Sequence, residues 1–435
     1  MRIRKDFISS LLLEIMLVVL MSFYYFPVGF HGLPEALNTK QMLAVVGILM
    51  YVFKCIRDNG FIMSGSVLKS FFFACLFSIW CYFCCVYNDT SDYAYATYVK
   101  SFVVWLSGAF AMCGIIRAVK GRLDVGLVTK YLTLACVAQC ALVLMVDNIP
   151  AVQHFVDSVF IQDETAKELE RLYGIGCSLD SGGVRFCTAL LLIAHLFATD
   201  SGITDSRGKI ALYVLAFLII TVIGNMVSRT TSVGVLLSLF YIFVTIWMAK
   251  RAVITKRQLR FRVIFLSIFL AALVLCIVLY FTNASFHRYI RFAFEAFFNF
   301  VEEGEFRTDS SDELLTRMWI WPWTDAGWAV GYGLFEWSSW YAYGVQTDIG
   351  YCRFTLYCGL IGIALFGWYF IYNSVLVARR LEKAALLAAL LAVLTFIVWA
   401  KVSTDIFQMY ALLLCLPATA AAAASEDSSS KDLQE

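Results

Sequence analysis

Arginine placement is the chemically suggestive feature of this sequence. Arg171, Arg185, Arg229, Arg288, Arg291, Arg307, Arg317 and Arg353 fall in or beside segments that the charge pattern below puts on one side of a membrane. A guanidinium is a planar fork that grips a phosphate with two hydrogen bonds and keeps its charge. Arg229 sits in a turn of a few residues, Val227 to Thr230, between two apolar runs, and Arg185 and Arg353 lie just inside the starts of two others. A charge there is costly unless it faces a watery cavity or a partner. A single such arginine is explained by snorkelling to the interface. Several together, on the side that basic residues normally avoid, predict a site for an anion.

Aromatics and carboxylates accompany them. Trp319, Trp321, Trp323, Trp328, Trp337 and Trp340 crowd one loop with Tyr332, Tyr341 and Tyr343. Such a loop is either an interfacial aromatic belt or a platform on which sugar faces stack. Glu336 and Asp348 share this region, and Asp180 lies in an earlier loop. Asp348, just before an apolar run, is placed to act as a general base or to orient an acceptor hydroxyl; the alternative is a charge favoured by a helix N-terminus. Gly331-Tyr332-Gly333 lacks the third glycine and the βαβ context of a dinucleotide fingerprint. His31, His154, His195 and His287 are scattered, and His195 reads as a packed residue inside a span. Cys81, Cys84 and Cys85 have metal-like spacing but no His or second Cys pair nearby, so buried thiols are expected. Nearly all the fourteen cysteines lie in apolar runs, where Cys behaves as a small hydrophobe; Cys177 stands almost alone in a polar loop. With no metal, nucleotide-phosphate or nucleic-acid motif visible, an outward-facing site would use a pre-activated substrate and no cofactor.

The elements that hold these residues are helices in a membrane. Of 435 residues, 61% are hydrophobic and 15% charged, and mean hydropathy is +0.77; soluble domains are about 45–50% apolar and about 25% charged. Apolar runs without strand-like alternation, each near the ~20 residues of a spanning helix, predict an all-α polytopic protein, since lipid leaves backbone polar groups no outside partner. The expected spans are 11–30, 41–56, 67–87, 98–116, 127–146, 184–199, 210–227, 231–249, 263–282, 349–377, 384–400 and 404–423. The first reads as a span and not as a cleaved leader. The loop Lys250–Arg262 is basic and lacks acids, and Arg117–Lys130 and Arg379–Arg380 agree with it. By the positive-inside rule both termini are cytoplasmic and the count is about 12. The reading is one helical membrane domain, 1–424, with external loops near 147–183 and 283–348, the larger preceding the tenth span, and a disordered tail, 425–435. Phe286 to Phe300 predicts one interfacial helix, 302–312 an acidic bend, and Ser310 with Glu313 a capping box that opens a short helix.

Three segments resemble the O-antigen polymerases of the Wzy type, in the superfamily that includes O-antigen ligases. They are Arg171-Leu-Tyr-Gly174-Ile-Gly176 followed by Asp180 and Gly182-Gly183-Val-Arg185; Ser228-Arg229-Thr230; and the stretch from Arg317 through Gly331-Tyr-Gly333 to Thr347-Asp348-Ile-Gly350-Tyr351 and Gly359-Leu-Ile-Gly362. Their order and the topology carry the resemblance. It implies a glycosyltransferase at the outer face of the bacterial cytoplasmic membrane. Such an enzyme joins oligosaccharide repeat units carried on undecaprenyl diphosphate, with a flippase and a chain-length regulator of the same pathway as partners. Arg185, Arg229 and Arg317 would hold the donor diphosphate, with Arg171 and Arg353 as further choices. Asp348, or Glu336, would take the acceptor proton, and Trp319, Trp323, Trp337 and Tyr351 would guide the glycan. The ligase branch carries a His near the next span; here the neighbourhood reads Gln346-Thr347-Asp348, which favours a polymerase. A ligase and a non-enzymatic lipid-linked oligosaccharide flippase are the alternatives.

Overall fold

The computed structural model describes residues 2–418 except 35–36, 61–63, 170, 200–202, 204–205, 248–255, 306, 309–311, 313–314 and 336–346; side chains are described outside 2–8 and 246–259. Glu336, Trp337, Trp340, Tyr341, Tyr343, the Ser310–Glu313 capping box and the 425–435 tail lie outside the described residues.

The described chain is helical almost throughout. In order come α1 (Arg2–Tyr25), α2 (Thr39–Arg57), α3 (Gly65–Tyr87), α4 (Tyr98–Lys120), α5 (Val125–Asn148), α6 (Pro150–Val159), α7 (Glu164–Glu168), α8 (Leu179–Thr199), α9 (Arg207–Val227) and α10 (Thr231–Ile242). A π-helical turn, Phe243–Trp247, follows, then α11 (Lys256–Thr282), α12 (Ala284–Ala293), α13 (Glu295–Glu303), α14 (Asp325–Val330), α15 (Gly350–Arg380), α16 (Ala385–Trp399) and α17 (Phe407–Leu414). Each apolar segment read from the sequence overlaps a helix, though 404–423 overlaps only the eight-residue α17 and, like 231–249, runs beyond the described residues. Among the described residues eight helices are long and apolar enough to cross a membrane: α2, α3, α4, α5, α8, α9, the Arg260–Thr282 part of α11, and α15. Ser9–Tyr25, Thr231–Thr245 and α16 are shorter apolar helices. On α11, Leu266, Leu270, Val274 and Leu275 are all more than half exposed, which only an apolar surrounding makes favourable. The chain is an all-α, multi-pass membrane protein.

Contacts divide it into two compact units, Met1–Val45 with Ala111–Glu302, and Val46–Phe110 with Glu303–Glu435. In the first unit, α8 packs on α10 so closely that a Cβ on Gly234 would lie 2.3 Å from the Cys187 Cα. Small residues permit such backbone approach in lipid. The Arg171–Gly176 loop is pinned by a buried amide: Gln139 of α5 accepts from the Ile175 N–H (3.1 Å) and donates to its carbonyl (2.8 Å). The two-residue strands Gly29–Phe30 (β1) and Phe160–Ile161 (β2) pair antiparallel and close the same loop region.

The interfacial helix expected over Phe286–Phe300 is instead two helices, α12 and α13. At Phe294 (φ −117, ψ 26) the backbone leaves the helical path, and its N–H caps α12 on Ile290. A bidentate pair from Arg291 to Glu302 (2.8 and 2.7 Å) spans the break. Phe297, Phe300 and Val301 of α13 stay exposed, as suits a segment lying in the bilayer surface.

In the second unit α15 is a broken helix. Gly359 has φ 68, ψ −176, a region open essentially to glycine alone. The break frees carbonyls, and the Gly331–Gly333 stretch satisfies them. Tyr332 N–H donates to Leu356 O (2.6 Å), Gly333 N–H to Tyr357 O (3.0 Å), and the Trp80 indole N–H to Cys358 O (2.9 Å). In return, Asn88 donates to Gly331 O (3.2 Å) and Thr90 to Gly333 O (2.7 Å). Gly331 (φ 70, ψ −164) mirrors Gly359 across this contact. The glycine pair that is no nucleotide loop thus closes a break in a helix long and apolar enough to cross a membrane, where unpaired backbone groups are costly.

Candidate functional site

In the first unit two of the sequence's arginines converge on one ring. The Arg171 guanidinium carbon lies 3.8 Å from the Phe292 ring centroid and that of Arg229 lies 4.4 Å from it. Arg229 also donates from Nη1 to the Glu295 carboxylate, and both side chains are mostly covered. Burial first, and the nearby Arg229 charge second, push the Arg171 guanidinium below its usual range, while Glu295 and Asp180 oppose the shift. Two cations this near each other hold only where counter-charge or an aromatic face offsets their repulsion.

Local chemistry explains why Arg229 stands there. Asp180, in the first turn of α8, accepts from Ser228 Oγ (2.7 Å) and from Thr230 Oγ1. Both residues flanking Arg229 are therefore tied to one carboxylate, and the turn presents Arg229 between them. Gly183 lies beneath: a Cβ on it would come within 2.8 Å of the Ser228 side chain. The Ser-Arg-Thr turn and the Asp-Ser-Gly-Gly start of α8 are one assembly. Arg185, also on α8, donates to the Gly176 carbonyl (3.4 Å) and lies over Phe26 (5.8 Å). Its contacts are thus with the pinned loop that carries Arg171. Gly176, at φ 66, packs a would-be Cβ 2.7 Å from the Phe26 and Pro27 carbonyls. Cys177 is buried beside it, and burial pushes its thiol up to about 12. All fourteen cysteines are free thiols, and Cys81, Cys84 and Cys85 are buried.

Tyr289, midway along α12, donates to Asp147 at the end of α5 (2.6 Å) and so ties the surface helix to a spanning one. Arg288 is exposed beside Tyr289, Arg291 is engaged by Glu302, and in the second unit Arg307 meets Glu303, Glu305 and Asp312.

The second unit holds Arg317, Asp348, Arg353, Tyr351, Trp319 and Trp323. Arg353, in the first turn of α15, donates to the Phe335 carbonyl (2.7 Å) and covers the Phe335 ring at 4.2 Å. Asp92 accepts from the Phe335 N–H, so this one residue is clamped at both of its backbone groups. Asp348 is half-buried just before α15, within electrostatic reach of Arg353. Arg317 is exposed. Tyr351 donates to the Phe396 carbonyl (2.8 Å), a packing role. The tryptophans form a shelf: Trp319 meets Trp321, Trp321 stacks on Trp328 at 5.6 Å, and Trp323 stacks on Tyr332 at 4.4 Å, all four with substantial exposure.

Phe292, Glu295, Phe335 and Asp92 are the members that sequence reasoning missed. The Phe286–Phe300 segment drew notice as amphipathic, but nothing in its pattern says which ring or carboxylate meets an arginine. No family model matches the chain, and neither a curated protein nor a solved structure does.

Proposed function

We propose that this chain is a membrane glycosyltransferase that resembles the Wzy-type polymerases. It would join undecaprenyl-diphosphate-linked repeat units into O-antigen, capsule or exopolysaccharide at the outer face of the bacterial cytoplasmic membrane. The observation that carries the reading is the pair Arg171 and Arg229 on one Phe292 ring, with Arg229 already holding an oxyanion, the Glu295 carboxylate. Two fixed positive charges held by a pinned loop and a carboxylate-tied turn are what a departing diphosphate needs. A diphosphate oxygen would compete with Glu295 for Arg229 and gain the second guanidinium of Arg171. Arg185 would set the loop on which Arg171 stands.

In this reaction the acceptor hydroxyl oxygen bonds to the donor's anomeric carbon as the bond from that carbon to the diphosphate oxygen breaks. The hydroxyl proton passes to a carboxylate, for which we retain Asp348, and undecaprenyl diphosphate leaves. The leaving group is activated beforehand, so catalysis is positioning and charge stabilisation. The exposed tryptophan shelf in the second unit supports a glycan-guiding role, with Arg317 at its start, and the exposed apolar face of α13 supports contact with a polyprenyl tail in the bilayer. Twelve spans with both termini cytoplasmic complete the proposal.

The test is a polysaccharide ladder on a gel after gene deletion and complementation, with membrane levels checked. Wild type should restore the ladder, while Arg229→Ala and Arg171→Ala should leave single repeat units. Long chains stranded on the lipid carrier after deletion would make the protein a ligase; absence of any external repeat unit would make it a flippase.

A further inference from the structure

The surface helices α12 and α13 cover the arginine pair of the first unit and behave as one body. The bidentate Arg291–Glu302 pair joins them across the break at Phe294. Both lean on the end of α11, where the Tyr280 ring stacks on His287 of α12 (4.2 Å) and on Phe298 of α13 (5.7 Å). Asn283, at φ −126 and ψ 112, leaves the helical path between α11 and α12. Of the ten residues of α12 and the nine of α13, only Ala293 is buried. Segments with so little buried apolar surface lie at the low end of local stability.

Beyond α11 and the packing of α12 along α9, three side chains tie this body down. Tyr289 donates to Asp147 (2.6 Å), Glu295 accepts from Arg229, and the Phe292 ring lies 3.8 Å from the Arg171 guanidinium carbon and 4.4 Å from that of Arg229. The arginines do not need the body to stay in place. Asp180 brackets Arg229 through Ser228 and Thr230, and Gln139 pins the loop of Arg171 through Ile175. The body does, however, occupy them: a ring covers both guanidiniums, and a carboxylate repels any other anion. A diphosphate cannot draw both arginines onto its oxygens while Phe292 and Glu295 remain.

We propose that α12–α13 is an autoinhibitory lid, which pivots at Asn283 on the Tyr280 stack, closes the arginine pair to free anions and opens when a diphosphate takes the two arginines. The proposal rests on the diphosphate reading of that pair and adds its regulation. Phe297, Phe300 and Val301 of α13 are exposed, which keeps the lid in the bilayer surface, where a lipid-borne diphosphate arrives and a soluble one does not. A closed lid lowers the apparent affinity by the fraction of protein that is open, so loosening the lid strengthens anion binding without touching either arginine.

The test uses the full-length protein in detergent with pyrophosphate as the probe and potassium chloride at equal ionic strength as the control. Binding is read by thermal shift, and side-chain exposure by hydroxyl-radical footprinting with mass spectrometry. Pyrophosphate, and not the chloride, should raise the labelling of Phe292 and leave that of Tyr280, on the pivot, unchanged. A hydrogen bond to a charged acceptor shifts a closed–open equilibrium by roughly tenfold. Tyr289→Phe should therefore raise Phe292 labelling without any anion and lower the half-saturating pyrophosphate concentration by a similar factor. Asp147→Ala removes the same bond from the other side and serves where Tyr289→Phe does not fold. Pyrophosphate that binds while Phe292 stays as protected as before, or binds wild type and both variants equally well, would overturn the lid and leave the diphosphate site standing. Failure of all three proteins to bind pyrophosphate, with Phe292 freely labelled in the variants, would instead overturn the diphosphate reading, and the lid's regulatory role with it.

Discussion

Arg229 and Arg353 are both arginines at helix starts beside an aromatic ring, yet the two units use them differently. Arg229 meets side chains, the Phe292 ring and the Glu295 carboxylate, on a surface helix that is tied to the rest by a few polar contacts. Arg353 meets a backbone carbonyl, that of Phe335, whose N–H is held in turn by Asp92. A carboxylate partner can be exchanged for a substrate oxyanion at modest cost. A backbone carbonyl inside a clamped loop cannot, because its loss leaves a partly buried acceptor unpaired. The same residue type at the same kind of position is therefore exchangeable in one unit and structural in the other. Stability and activity measurements separate the two.

The largest effect is expected at the helix break of the second unit. Gly359→Ala puts a Cβ 2.1 Å from the Ala329 carbonyl oxygen at a φ of +68. The backbone strain costs about 1–3 kcal/mol and the overlap about 1–3 kcal/mol more. Membrane levels and the thermal midpoint should both fall sharply; an unchanged midpoint would mean that the break is not needed.

Next comes Arg229. Removing one preorganised donor from a developing oxyanion costs on the order of 10²–10³ in rate. Arg229→Ala should therefore abolish the ladder while the melting curve stays close to wild type. Arg229→Lys keeps the charge but loses the fork and its stacking face, and should recover only part of the chain length. Full recovery by Lys would reduce the site to a point charge.

Arg353→Lys should give the opposite pattern. The charge stays, but the short bond to Phe335 and the ring contact weaken. A hydrogen bond from a charged donor is worth about 1.5–3 kcal/mol, so the midpoint should drop, and any loss of polymer should follow the loss of folded protein. A variant with a normal midpoint and no ladder would move Arg353 into the exchangeable class with Arg229.

Much of this was legible in the sequence for physical reasons. The apolar runs sit on the helices because lipid gives a backbone one option, and Arg229 stood out because its turn is too short to hide a charge. Asp180, Gly183 and Ser228 were visible as a motif, though not as the bracket that holds Arg229. What stayed hidden depended on contacts between distant segments. Gly331 and Gly359 are individually ordinary; only together do they show why a loop glycine pair caps a helix break. Phe335 contributes its backbone to the Arg353 clamp, and backbone groups carry no sequence identity. The break at Phe294 was illegible too, since Phe286–Phe300 is amphipathic throughout and no proline or glycine marks the junction.

The smallest effect, Glu295→Gln, decides what the Glu295 carboxylate is for. If it holds the place of a substrate oxyanion, the neutral amide frees Arg229 without removing anything that the reaction uses. Both side chains are mostly covered, but the Gln amide oxygen can still accept from Arg229, so the loss should stay well below the about 3–5 kcal/mol of a broken buried pair and the melting midpoint should fall only slightly. Pyrophosphate, as a probe of the arginine pair, should then protect Glu295→Gln against thermal unfolding at several-fold lower concentration than wild type, and the ladder should persist. Loss of the ladder with normal membrane levels would put the Glu295 carboxylate in the chemistry itself, as the group that takes the acceptor proton in place of Asp348. The two outcomes cannot coexist, because a carboxylate that must leave for the diphosphate to bind is not the one that waits for a proton beside it.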